Sequence, residues 1–172
     1  MPKQYDTLVL IGRFQPFHNA HCEIVKRATA LTNRLIIVTG SAHQPRTYKN
    51  PFTSREREQM IREATRGLSL NITVAANTDT IYNDQAWAVR VQQIVARHTQ
   101  PGERVGIIGH KKDDSSFYLD MFPQWEYVDV ESIEPLSAVN IRDLYFKRDA
   151  NMNFIKGVVP RTTYEFLASF ST

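Results

Sequence analysis

A chain of 172 residues is long enough for one compact domain with its own core and short for two. Its residues are 42% hydrophobic and 23% charged, the balance of an ordinary globular protein, and the net charge of +3 includes no basic tract beyond Lys111-Lys112, which argues against general nucleic-acid binding. The single cysteine, Cys22, excludes an internal disulfide and fits a reducing cytoplasm, and no apolar run approaches the ~18 residues of a membrane span.

The N-terminal "MPKQYDTLVLIGRF" has a short apolar stretch followed at once by arginine, so it reads as a strand and not as a signal peptide. "TLVLIG" (Thr7 to Gly12) is the first β-rich run. "AHCEIVKRATALT" (Ala20 to Thr32) places Ile24, Val25, Ala28 and Leu31 at helical spacing. "RLIIVTG" (Arg34 to Gly40) is a second buried strand. "SREREQMIREATRG" opens with Ser54 as a candidate N-cap, has Arg57 where a capping-box Glu would sit, and ends at Gly67. "NITVAAN" (Asn71 to Asn77) reads as a third strand, "QAWAVRVQQIVARH" (Gln85 to His98) as a helix, and "ERVGIIGH" (Glu103 to His110) as a fourth strand. "DSSFYLDMF" suits a short helix and "WEYVDVE" (Trp125 to Glu131) a fifth strand. From about Ala138 the chain is helical, in "AVNIRDLYFK" and, after Pro160, in "RTTYEFLASF".

Alternating strands and helices, with strands that are nearly continuous apolar runs, define an α/β protein. The expectation is a Rossmann-like, doubly wound sheet of about five parallel strands with helices on both faces. Ligands of such sheets bind beyond the carboxyl ends of the strands. The segments after the strands are therefore the place to look.

The first of them is "GRFQPFHNAH", Gly12 to His21, which holds two of the chain's five histidines. Gly12 permits close backbone approach, and Pro16 stiffens the turn. His18 and His21 stand at i and i+3 at a helix start, where free N–H groups and the helix dipole attract anions. A metal pair is the weaker reading, because no third ligand stands nearby. On spacing alone a packing role for His18 and a surface role for His21 remain open. Neither a Walker P-loop nor a Rossmann G-x-G-x-x-G is present.

"GRFQPFHNAH" resembles the G-x-F-x-P-x-H-x-G-H signature of the nucleotidyltransferase superfamily, with Ala20 in place of the usual glycine. Its Gly12-Arg13-Phe14-Gln15-Pro16 form looks most like the archaeal-type nicotinamide mononucleotide adenylyltransferases. "KNPFTSREREQMI" is similar to that family's NPFT-x-x-ER segment. "DTIYNDQAW" and "GHKKDDSSFYLDMFPQW" look like the adenylyltransferase half of proteins that also carry a Nudix domain. "LSAVNIR" (Leu136 to Arg142) matches the family's I-S-S-T-x-I-R incompletely, with Ala138 and Val139 replacing two hydroxyl residues. The resemblance covers nearly the whole chain, 1–172, as a single transferase domain.

The reaction it implies joins ATP and nicotinamide mononucleotide into NAD and pyrophosphate. A phosphate monoester is already anionic, so positioning and charge neutralisation suffice and no general base is needed. By the resemblance His18, His21 and Arg142 are the catalytic set. Gly12, Arg13, Phe14, Gly109, Lys112, Ser137 and Arg142 would line the ATP site. Trp87, Asp79 and Lys49 would meet the pyridine nucleotide, with Trp87 stacking on the cationic ring. Mg²⁺ is expected on the ATP phosphates, with no protein metal ligand. Other acceptors, nicotinate mononucleotide or phosphopantetheine, and a non-catalytic nucleotide sensor are the alternatives. A homo-oligomer is a further expectation of the resemblance.

Overall fold

The computed structural model describes residues 3–40, 51–77, 84–109, 121–130, 138–146 and 152–169. Five parallel strands form one sheet in the order β3-β2-β1-β4-β5, with β1 at Thr7–Gly12, β2 at Arg34–Thr39, β3 at Asn71–Ala76, β4 at Val105–Gly109 and β5 at Glu126–Asp129. The strand bounds agree with the apolar runs to within a residue or two. β1, β2 and β4 are buried along nearly their whole length, as a sheet covered on both faces requires.

Helices cover both faces. Alternation along the strands sends Leu8, Leu10, Leu35 and Ile37 to one face, where they pack with Ile24, Val25 and Ala28 of α1 (Asn19–Leu31) and Met60 and Ile61 of α2 (Ser54–Ala64). The same layer holds Ile141 and Tyr145 of α4 (Ala138–Phe146), Ile155 of α5 (Met152–Val158) and Leu167 of α6 (Arg161–Ser169). The opposite face is formed by Val9, Ile11, Ile36, Val38 and Ile107 against Ala88, Val91 and Val95 of α3 (Asp84–Arg97). The helical C-terminal part thus belongs to the core of the α1 face. No helix of the described residues is long and apolar enough to cross a membrane.

One boundary differs from its expectation. The N-cap of α2 is Thr53, not Ser54: the Glu56 N–H donates to Thr53 Oγ1 (3.1 Å) and the Thr53 N–H to Glu56 Oε1 (2.8 Å). The reciprocal box needs an acidic side chain at the third helical position, and only the Thr53–Glu56 spacing supplies one. The helix ends three residues before Gly67, at Ala64 with Thr65 as C-cap. The short helix expected in "DSSFYLDMF" lies almost wholly outside the described residues.

The order 3-2-1-4-5 places the switch in direction between β1 and β4. α1 leaves β1 toward β2, whereas the chain reaches β4 from α3 on the other face. In sheets of this topology the ligand crevice lies at the carboxyl ends of the two strands flanking the switch. The loop from Gly12 to His18 begins there.

Candidate active site

The first loop is shaped by its aromatic residues. Phe14 adopts a positive φ of 55°, unusual for a side-chain-bearing residue, and its ring turns back over Gly12. A Cβ on Gly12 would stand 2.8 Å from Phe14 Cζ, so glycine is required there by close approach. The left-handed backbone costs about 1 kcal/mol or more, and burying a phenyl ring to 1% exposure offsets it. Phe14 therefore supports the loop from below, with its side chain in the core.

His18 is the N-cap residue of α1, and His21 is its third helical residue. The His18 backbone N–H donates to His21 Nδ1 at 3.2 Å. An N–H can only donate, so Nδ1 presents a lone pair and the neutral ring carries its proton on Nε2. The two imidazoles stack with centroids 3.8 Å apart. Phe17 stacks on His21 at 5.4 Å, and Phe14 meets it edge-on at 4.7 Å. His18 is buried and His21 half-buried. Ala20 lies inside the first turn of the helix, and Phe14 is the sole non-glycine residue with positive φ among the described residues. The position thus makes no demand for a left-handed glycine.

Two arginines tie other elements to this loop. Arg142 of α4 donates from Nη1 to the Gln15 carbonyl at 2.8 Å. Arg57 of α2 is 1% exposed, and its guanidinium gathers backbone carbonyls: Nη1 donates to Arg13 O (2.9 Å) and Gly40 O (2.5 Å), and Nε to Thr53 O (3.2 Å). It joins the ends of β1 and β2 to the start of α2. Gln15, fully buried, clamps the same region by a two-point contact, donating from Nε2 to Phe52 O (3.1 Å) and accepting from the Phe52 N–H (2.9 Å). An aspartate at 15 would lose the donor half of that clamp.

The NPFT-x-x-ER segment thereby acquires a physical reading. Phe52 is the residue clamped, Thr53 and Glu56 form the capping box, and Arg57 is the buried tie. Sequence reasoning missed Arg57 and Gln15 as site-building residues. The signal available was their place inside the two matched motifs.

Of the remaining expected residues, Gly109, Trp87 and Arg13 are described. Gly109 ends β4, its carbonyl accepting from the Val130 N–H (2.9 Å) and Tyr127 Oη (3.2 Å). No described atom lies within 4 Å of where a Cβ on Gly109 would stand. Trp87, half-buried in the first turn of α3, packs against Phe122 at 5.9 Å, and Phe122 stacks on Trp125. Arg13 is exposed. Lys49, Asp79, Lys112 and Ser137 lie outside the described residues. Burial pushes the Cys22 thiol up to about 11, so next to the histidines it is a protonated packing residue at neutral pH.

Among the described residues no three His, Cys, Asp or Glu side chains converge as a metal cage. The groups that do converge on the first loop are imidazoles, guanidinium groups and helix-start amides, a donor set suited to phosphate oxygens.

A parallel sheet with this donor set at its switch point defines the class: an α/β nucleotidyltransferase. The chain belongs to the cytidylyltransferase-like family, whose model matches residues 9–157. It is 39% identical over 97% of its length to the nicotinamide/nicotinic acid mononucleotide adenylyltransferase of Acinetobacter baylyi, covering 87% of that protein. It superposes with a TM-score of 0.85, at 31% identity and over 96% of its length, on a bifunctional NMN adenylyltransferase/ADP ribose pyrophosphatase from Francisella tularensis. A second structure of that enzyme, complexed with AMP and a manganese ion, gives a TM-score of 0.83 at 28% identity. The chain spans about half the length of these bifunctional proteins, 49% of each.

Proposed function

We infer that the chain transfers the adenylyl group of ATP to nicotinamide mononucleotide, forming NAD and pyrophosphate. The observation that carries this reading is the stacked His18–His21 pair at the start of α1, braced by Phe14 and Phe17 and joined through the loop backbone to Arg57 and Arg142. A mononucleotide phosphate oxygen attacks the α-phosphorus of ATP in line. The bond from that phosphorus to the bridging oxygen breaks, and the electron pair leaves with pyrophosphate. No proton must be removed from the nucleophile, so the protein's work is alignment and stabilisation of charge on the leaving group.

In this reading the Nε2–H of His21 and the His18 ring bind the phosphates at the reacting centre, next to the amides of α1. Arg142 takes the β- or γ-phosphate, and Arg13 a neighbouring oxygen. The backbone at Gly12 and Phe14, with Gly109, Lys112 and Ser137, borders the ATP. Trp87 lies over the pyridinium, with Asp79 and Lys49 as further contacts to that nucleotide. Mg²⁺ held by ATP phosphates and water would neutralise the triphosphate, an arrangement that fits a donor set without clustered carboxylates. Arg57, buried beneath the loop, holds Arg13 in place and touches no substrate.

Nicotinate mononucleotide is a second acceptor in this reading, because the Acinetobacter relative is named for both the amide and the acid. The test is an acceptor panel: protein, ATP and Mg²⁺ with nicotinamide mononucleotide, nicotinate mononucleotide or phosphopantetheine, following pyrophosphate. Release is expected with the two pyridine nucleotides and none with phosphopantetheine. Nucleotide binding with no release in any mixture would replace the enzyme reading with a sensor.

A further inference from the structure

The C-terminal helices hold the first loop at two points, one on either side of His18. Before it, the Gln15 carbonyl accepts from Arg142 Nη1 of α4 (2.8 Å). After it, Asn19 donates from Nδ2 to the Gly157 carbonyl in the last turn of α5 (3.2 Å). Carbonyls in the last turn of a helix lack a donor within that helix, so Asn19, the first residue of α1, caps the end of α5. The two partners are 138 residues apart in the chain. α4 and α5 pack on each other, and Ile141, Tyr145 and Ile155 lie in one core layer. The position of α5 against α1 is thereby passed to α4, the helix that carries Arg142.

We propose that Asn19 is a positioning residue for Arg142: it holds the carboxyl end of α5 at the start of α1 and so sets the α4 guanidinium against the two imidazoles. The proposal rests on the adenylyltransferase reading above, in which Arg142 and the histidines act on the phosphates of one ATP. An arginine side chain is long, and its worth to a leaving group depends on where its head stands. A displacement of about 1 Å is enough to cost much of the rate. The Asn19–Gly157 contact lies at the surface, where a single hydrogen bond adds little to stability, so its loss separates alignment from folding.

The experiment follows pyrophosphate release and melting temperature in wild type, Asn19→Ala, Asn19→Gln, Arg142→Lys and the double variant of Asn19→Ala with Arg142→Lys. Asn19→Ala is expected to lower kcat about tenfold. The KM for nicotinamide mononucleotide should stay within about twofold of wild type and the melting temperature within about 4 °C. Asn19→Gln keeps an amide donor and should recover most of the lost turnover. Lysine at 142 keeps the charge without the planar fork, so alignment has less left to act on. In that background Asn19→Ala should cost less than about threefold.

A tenfold loss in both backgrounds overturns the proposal, since it marks an effect of Asn19 that does not pass through Arg142. Unchanged kcat in Asn19→Ala overturns it as well and leaves the contact as a cap of α5. A wild-type protein that releases no pyrophosphate with any pyridine mononucleotide is a different outcome: it removes the adenylyltransferase reading, and the proposal with it.

Discussion

The two ends of the sheet handle charge in opposite ways. At the amino ends of the strands, Arg104 makes a two-oxygen ion pair with Glu126 (2.8 and 2.9 Å), Tyr5 Oη donates to Glu126 Oε2 (2.8 Å), and the guanidinium lies 4.8 Å over the Tyr5 ring. The Arg104 backbone N–H is taken by Asp6 Oδ2 (2.6 Å), and Thr7 Oγ1 donates to Glu103 (2.8 Å). Cation, carboxylate and hydroxyl satisfy one another. At the carboxyl ends, Arg57 and Arg142 donate to backbone carbonyls of the first loop and of Gly40, and Arg57 also to Ser54 Oγ (3.4 Å). These guanidinium groups stand where the parallel strands, the start of α1 and the two imidazoles meet. One end is closed in charge and serves stability. The other uses its guanidinium groups to order the loop that the proposed reading gives to the phosphates.

That contrast can be broken by mutation, and the largest effect is expected at the histidines. His18→Ala and His21→Ala should each lower kcat by about 100-fold or more, the scale of losing a donor aimed at developing charge. His21→Gln separates the two jobs of that residue. A glutamine at the third helical position can reach back to the N-cap amide, so the ~1 kcal/mol of capping should return while activity stays lost. Recovery of turnover in His21→Gln would show that the imidazole acts only as a cap.

Arg57→Met comes next. It removes the guanidinium donors to Arg13 O and Gly40 O in a buried place, while Thr53 O keeps the backbone N–H of residue 57, and should cost about 3 kcal/mol of stability in denaturant titration. The surviving folded enzyme should show a raised KM for ATP, because Arg13 is no longer held. Trp87→Ala should raise the KM for the mononucleotide by about tenfold and leave that for ATP nearly unchanged. An effect confined to ATP would remove the stacking assignment.

The smallest effect is expected at the other end. Its hydrogen bonds from Tyr5 and Arg104 hold the Glu126 carboxyl below its ordinary value of 4.5. A carboxyl with a lowered value in the folded protein contributes stability above its unfolded value and loses it as pH falls through the folded one. Glu126→Gln should therefore lower the melting temperature slightly at pH 7 and make no difference in strong acid. Because the pair is exposed, the effect is small and weakens with salt. Turnover should be untouched at every pH.

Much of the frame was legible in the order of residues. Continuous apolar runs marked β1, β2 and β4, since a parallel strand must bury both faces. Apolar spacing marked α1 and α3. The pairing of "GRFQPFHNAH" with "KNPFTSREREQMI" pointed to the family through motifs far apart in the chain. Local chemistry was less reliable at boundaries: Ser54 and Thr53 are both good caps, and the choice between them depends on which neighbour reaches back.

The sequence by itself determined the layers of the fold, the reaction class its motifs imply, and the two histidines at the exit of β1. Only the tertiary structure decided that Phe14 lies beneath the loop and not beside a ligand, because that depends on a backbone turn and the space above Gly12. Only it turned Arg57, a charged residue in a polar helix, into a buried tie between β1, β2 and α2. Burial and hydrogen-bond satisfaction arise from contacts between segments tens of residues apart, and spacing along the chain carries no record of them.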